Sequence, residues 1–268
     1  MQSFAEVTTW SPDGPGAWVG TVSPEWMQGR GSFGGIPAAV GLRAIQAACA
    51  DGRRPRSIHV AFLGPLTNAP ARVTAQVLRR GRFVTHARAE ILQGGELRTQ
   101  VIATLGDDRA SGLVVEPPLG PERPPPESLA ALPHIEGVTP SFVRFLDMRW
   151  TDGSMPFSGA EEPGLGGWCR HRTDPGPDPH AALLGLLDAW PSPVVPLLRG
   201  PAPASSVSWS TTFYDVPEAI SPDDWWWYGS EAIAAGHGYA GMRATLYGRD
   251  RRLVSTVEQL VAVFDRPR

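Results

Sequence analysis

Residues 34–50 read GGIPAAVGLRAIQAACA, and four β-rich stretches follow with no second helix between them: SIHVAFLGP (57–65), ARVTAQVLRR (71–80), FVTHARAEILQ (83–93) and ELRTQVIATL (96–105). The first segment predicts a helix of small and apolar residues, buried on most of its faces. The other four predict strands. The last two alternate well, and Gly94-Gly95 between them is a hairpin signal. One buried helix followed by consecutive long strands implies an antiparallel sheet wrapped around that helix. The class is α+β, not the alternating α/β kind. AWVGTV (17–22) predicts one more strand ahead of the helix.

The pattern then recurs. SFVRFLDMRW (141–150) and GLGGWCRHR (164–172) predict strands, and DPHAALLGLLDAW (178–190) predicts a helix closed by Pro191. VSWSTTFYDV (207–216), WWWYGSEAI (225–233), YAGMRATLYG (239–248) and RLVSTVEQLVAVF (252–264) predict four further strands. Laid on one another, the final strands match Leu97 with Leu253, Thr99 with Ser255, Val101 with Val257 and Leu105 with Val261. This indicates an internal duplication of about 100 residues per copy. Residues 1–112 form the first repeat, 113–140 a proline-rich linker and 141–268 the second repeat. Two similar halves are expected to pack as an internal pseudo-dimer, which is compatible with a further homo-oligomer.

Composition narrows the function classes. All 24 basic residues are arginine, which excludes a Schiff base, a phosphate-loop lysine and a catalytic ammonium group. The 30 glycines and 28 prolines far exceed their usual combined share of roughly 12%. A net charge of −3 without basic runs argues against nucleic acid as partner. Cys49 and Cys169 are too few for a disulfide scaffold or a cysteine zinc site. MQSFAEVTTWSPDG has neither the basic start nor the apolar core of a signal peptide, and no apolar run is long enough to span a membrane. The expected location is the cytoplasm.

Several stretches together carry a resemblance. They are G-x-x-x-F-G-G ahead of the small-residue helix (Gly29 to Ala50), S-I-H-V-A-F-L-G-P, L-R-R-G-R-F (78–83) and I-L-Q-G-G-E-L (91–97). W-W-W-Y (225–228), the hairpin around Asp250 and S-T-V-E-Q (255–259) complete the series. They resemble the acyl-CoA thioesterase II family, a double hotdog, over residues 10–107 and 140–265. The resemblance implies two tandem sheets, each around a central helix, and hydrolysis of a small-molecule acyl-CoA thioester by activated water, without cofactor or metal. It also implies a catalytic set: Asp188 in the second helix, Ser206 ahead of the next strand, and a glutamine on the final strand. Matching the letters S-T-V puts that last residue on Glu258; counting from the hairpin at Asp250 puts it on Gln259. Turn geometry sets strand register, and a one-residue slip sends the side chain to the other face, so Gln259 is preferred.

The chemistry needs a poised water, a base for its proton and donors for a developing oxyanion. Burial would raise the pKa of Asp188 as that base. Gln259 and Ser206 each offer a donor and an acceptor. Gly34 and Gly35 open the first helix, where free N–H groups and the helix dipole favour an oxyanion. Ala103 sits where the repeat puts Gln259, and Arg43 lies near the position matching Asp188, so one active site is expected, not two.

Each reading has a plainer rival. Asp188 is also explained as a polar residue near a helix end, although a negative charge there opposes the dipole. Gln259 is also explained as a surface residue, Ser206 has Ser205 beside it, and the two glycines suit close helix–sheet packing. Arg79, Arg80 and Arg82 suit CoA phosphates, but equally a solvated strand end. Gly29-x-Gly31-x-x-Gly34 matches the dinucleotide fingerprint without the strand that must precede it. The six histidines, among them His59, His171 and His180, lack metal-ligand spacing. A hotdog hydratase or dehydratase would pair a histidine with a carboxylate, and His180 shares a helix with Asp188. A non-catalytic acyl-binding hotdog is the rival outside enzymes.

Overall fold

The small-residue segment folds as α2 (Gly35–Cys49), with Gly34 as N-cap and Ala50 at φ 46° turning the chain out of the helix. The structure is a computed structural model that describes residues 2–265. Ahead of α2 lie α1 (Phe4–Thr8), β1 (Ser11–Pro12), β2 (Ala17–Gly20), β3 (Met27–Gln28) and β4 (Gly31–Ser32). After it come β5 (Arg54–Phe62), β6 (Ala71–Arg80), β7 (Val84–Gln93) and β8 (Glu96–Gly106). The second half contains β9 (Leu146–Gly153), β10 (Leu165–His171), α3 (Pro179–Leu187), β11 (Ala204–Phe213), β12 (Trp226–Gly236), β13 (Tyr239–Gly248) and β14 (Leu253–Val263).

The fold is a double hotdog, and its two sheets join into one. The 12-stranded order is β1-β2-β6-β7-β8-β5-β11-β14-β13-β12-β10-β9, so reading outward from the β5–β11 seam gives the same arrangement in both directions. The seam is antiparallel, with Val60 opposite Trp209 and His59 opposite Ser210. Period-two alternation puts Ile58, Val60, Val101, Ala103 and Leu105 of the first half in the core, and Trp209, Thr211, Val257 and Val261 of the second. Gly94 and Gly95 take φ of 62° and 82° in the β7–β8 turn, a backbone that side chains resist.

Both helices lie on the inner face of this sheet, and glycines let them approach. A Cβ on Gly41 would stand 2.5 Å from Val101 Cγ2, and one on Gly35 would stand 3.0 Å from Gly185 Cα of α3. Aromatic rings fill the space around the start of α2: Phe33 stacks on Phe142 at 4.1 Å and Trp26 on Phe145 at 4.4 Å.

Element boundaries differ from expectation where proline or a side-chain cap intervenes. β5 ends at Phe62 rather than running to 65, because the N–H groups of Leu63 and Gly64 both turn to Arg98 O ahead of Pro65. Residues 141–145 form a 3-10 turn after Pro140 instead of starting β9. α3 stops at Leu187, three residues short, since the Pro191 ring would clash with the Leu187 carbonyl in a continued helix. Asp188 is thus the C-cap and not an interior position. α1 was not anticipated; a reciprocal cap between Ser3 and Glu6 holds it.

Between β8 and β9 the regular structure before residue 141 is one 3-10 turn, Pro126–Ser128. The segment is pinned to the second half: Gly120 N–H donates to Arg251 O at 2.8 Å, and Trp168 Nε1 donates to Pro124 O at 2.9 Å.

Gly41→Ala tests the helix–sheet contact. Alanine favours a helix over glycine by about 1 kcal/mol, but here the added methyl overpacks Val101. The expected result is a net loss of about 1–2 kcal/mol in urea denaturation. Gly241→Ala on β13, where a Cβ meets nothing within 4 Å, is expected to stay within about 0.5 kcal/mol of wild type.

Candidate active site

Asp188 ends α3 but belongs electrostatically to α2. Gly35 N–H donates to Asp188 Oδ2 at 2.9 Å, across 153 residues of sequence. A Cβ on Gly34 would stand 2.8 Å from the same oxygen and 3.4 Å from Phe62 Cε1. The C-terminal carbonyls of α3 disfavour a negative charge, and the N-terminal amides of α2 offset them. Asp188 is only partly buried as a residue, whereas its carboxyl is strongly desolvated. Desolvation lifts the carboxyl from 3.8 to about 7, against the opposite pull of the Gly35 and Gly34 N–H groups.

Gln259 and Ser206 meet on the inner face of the second half. Gln259 Nε2 donates to Ser206 Oγ. Gln259 shares its face with buried Val257 and Val261, while Glu258 is exposed on the opposite face. The β11–β14 ladder slips between Ser206 and Ser208, so Val207 bulges and Ser206 turns inward opposite Val261. Phe62, which lines Gly34, directly follows Ala61, the partner of Ser208. Asp188 and the Ser206–Gln259 pair therefore lie toward the same end of the β5–β11 seam. Among the described residues no hydrogen bond joins Asp188 to either of them.

The N–H of Gly35, expected to be free for an oxyanion, is thus engaged by Asp188. With Gly34, it holds the Asp188 carboxyl in place. Two polar atoms nearby were not singled out from the sequence. Trp209 Nε1 and Thr211 Oγ1 are buried on the inner face of β11 without a hydrogen-bond partner. Trp209 is the cross-strand neighbour of Gln259. Inward alternation along SWST was the only available signal, and it equally describes a core strand.

The matching region of the first half lacks this chemistry. The bulge of β11 recurs on β5 between Pro55 and Ser57, so Pro55 stands where Ser206 does. Ala103 occupies the place of Gln259. The N-cap of α3 is Asp178, where α2 has Gly34. Burial pushes the Asp178 carboxyl up, while the Ala181 N–H and then the Arg43 guanidinium pull it back. His180 packs edge-on against Phe213 at 5.1 Å. Desolvation first, then Arg54 and Arg56, lower its pKa to about 4.

Other candidates find structural explanations. His171 Nε2 meets Ala182 O at 2.9 Å in the core. Arg80 reaches Cys49 O and Asp51, and Arg82 covers the Phe83 ring. Gly29-x-Gly31-x-x-Gly34 spans the β3–β4 hairpin, and the helix N-terminus after it receives the chain's own Asp188 carboxylate where a phosphate would sit. Among the described residues no His/Cys/Asp/Glu cluster is suited to a metal. Two open depressions of about 260 and 410 Å³ lie on the second half, one beside Trp227 and Arg243, the other beside Trp225 and Asp250.

Two family profiles match in succession: the acyl-CoA thioesterase N-terminal domain over residues 22–106 and the acyl-CoA thioesterase C-terminal domain over residues 126–263. The chain belongs to the acyl-CoA thioesterase family. Among solved structures, this thioesterase-family chain is similar to a conserved hotdog-fold protein of unknown function from Alicyclobacillus acidocaldarius. They share 27% identity and a TM-score of 0.87, with 100% of each chain covered. A putative thioesterase II from Thermobifida fusca YX shares 22% identity at TM-score 0.84, covering 99% of this chain and 98% of that one. The acyl-CoA thioesterase II TesB2 from Mycobacterium marinum shares 20% identity at TM-score 0.80, with 99% of each covered. The last two likenesses speak to the fold. No curated protein matches. No helix among the described residues is long and apolar enough to cross a membrane.

Because the folded Asp188 binds its proton up to about pH 7, and an unfolded aspartate only to about 3.8, its ionisation opposes folding. That cost is absent below the unfolded value, grows as pH rises between the two, and then levels off. Asp188→Asn removes it. The stability of Asp188→Asn relative to wild type, from denaturant titrations at several pH values, is expected to rise across this window. The rise is a few kcal/mol at most, since each tenfold difference in proton affinity between folded and unfolded chain is worth about 1.4 kcal/mol.

Proposed function

We propose that the chain hydrolyses acyl-CoA thioesters with a water activated by Asp188. The observation that carries this is a carboxyl raised to about 7 and fixed by the N-terminus of the other repeat's helix. A general base works best near the operating pH. A water held by Ser206 and Gln259 attacks the thioester carbonyl carbon while Asp188 takes its proton. The tetrahedral intermediate collapses, the C–S bond breaks, and the CoA thiolate regains the proton from Asp188. The products are the free acid and CoA thiol. Gly34 and Gly35 hold the base in place, and Gln259 and Ser206 fix the direction of attack. The cytoplasmic location belongs to the same proposal.

The hydratase reading loses support because His180 and Asp188 occupy opposite ends of α3, and the His180 ring packs against Phe213 with no side-chain hydrogen bond to a carboxylate among the described residues. The binding-only reading predicts no thiol release with any acyl-CoA.

Thiol release is the decisive assay. Asp188→Ala is expected to lower kcat by at least about a hundredfold, and Gln259→Ala by about ten- to a hundredfold. Glu258→Ala, on the outer face, is expected to stay within about threefold, which is about 0.6 kcal/mol in the barrier. Equal losses at 258 and 259, or full activity in Asp188→Ala, contradict the assignment. The kcat/KM of wild type is expected to rise with pH through about 7 as Asp188 ionises.

A further inference from the structure

Hydrolysis by this route creates a negative oxygen on the thioester carbon, which needs a donor of its own. Gly35 N–H is held by Asp188, and Gln259 Nε2 donates to Ser206. A donor beside them has no partner at all. Trp209 is 2% exposed, its Nε1 has no partner, and it lies directly across the ladder from Gln259. The bulge at Val207 brings Ser206 onto the same inward face as Trp209. A buried indole N–H without an acceptor is a standing penalty, and an indole nitrogen can only donate. We infer that Trp209 Nε1 is the donor that receives the thioester carbonyl oxygen and stabilises the oxyanion. The acceptor it lacks is then supplied by substrate, most strongly in the transition state, which is where a preorganised donor lowers the barrier. Thr211 Oγ1, next inward on the strand, is also unpartnered, but a hydroxyl accepts as well as donates, so its missing partner does not specify an acceptor as the indole's does.

The inference rests on the thioesterase reading, and its test separates the two. Trp209→Phe keeps the ring and deletes the N–H. The expected result is a fall in kcat of about a hundredfold to a thousandfold, KM within about threefold, and a thermal midpoint no lower than that of wild type. A trifluoromethyl-ketone analogue of the acyl-CoA, which forms an oxyanion mimic, is expected to lose at least about tenfold in affinity for the variant. A thioether analogue without the carbonyl is expected to bind wild type and variant alike. Trp209→His, which retains a ring N–H, is expected to recover part of kcat and guards against a merely misfolded phenylalanine variant. Undiminished kcat in Trp209→Phe, or equal losses for both analogues, would overturn the assignment of Trp209 alone. Wild type that releases no thiol would overturn the thioesterase reading beneath it.

Discussion

The hydrogen bond from Gly35 N–H to Asp188 Oδ2 sets conditions on most of the molecule. It requires the C-terminal end of α3 to face the N-terminal end of α2, so that amides of one helix offset the charge that the other opposes. That approach in turn requires Gly35 to lie against Gly185 and leaves no room for a side chain at Gly34. The helices meet this way only because β5 and β11 pair directly and merge two sheets into one. The arrangement is therefore a property of both repeats, with the carboxyl from one and its anchor from the other.

The duplication also explains why the arrangement occurs once. Equivalent bulges on β5 and β11 show that the backbone of both copies retained the same local geometry. Side chains diverged on it. Where the second copy has Ser206 and Gln259, the first has Pro55 and Ala103. The N-cap of α3 carries an acid with Arg43 beside it, where α2 presents bare glycine amides. An amide terminus free of its own cap accepts a carboxylate from elsewhere in the chain, whereas a terminus capped by Asp178 does not.

Much of this was legible in the sequence. The small-residue helix, the order of strands and the repeat follow from periodicity, which survives because one face of each strand is buried. Register was legible at Gln259, since a tight hairpin transmits position along β14. The junction of the sheets was not, because edge pairing between β5 and β11 leaves no mark in either strand's own pattern. The end of α3 was misplaced by three residues, although Pro191 signalled it: proline excludes the helix four residues upstream as well as at its own position. The engagement of Gly35 by Asp188 was also hidden. A free helix N-terminus and one occupied by a distant carboxylate have the same local sequence. Trp209 was concealed for a related reason, since an inward tryptophan reads as core until its unpartnered N–H is seen beside Gln259.

The lysine-free composition remains compatible with this chemistry and silent about it. The central claim is that Asp188 activates water instead of attacking the thioester itself. A single turnover of enzyme in excess over acyl-CoA, run in heavy-oxygen water, tests it most directly. Direct water attack predicts that the released acid carries the label in the first turnover while the peptide containing Asp188 stays unlabelled. An unlabelled acid, with the label appearing in the Asp188 carboxylate, would contradict it.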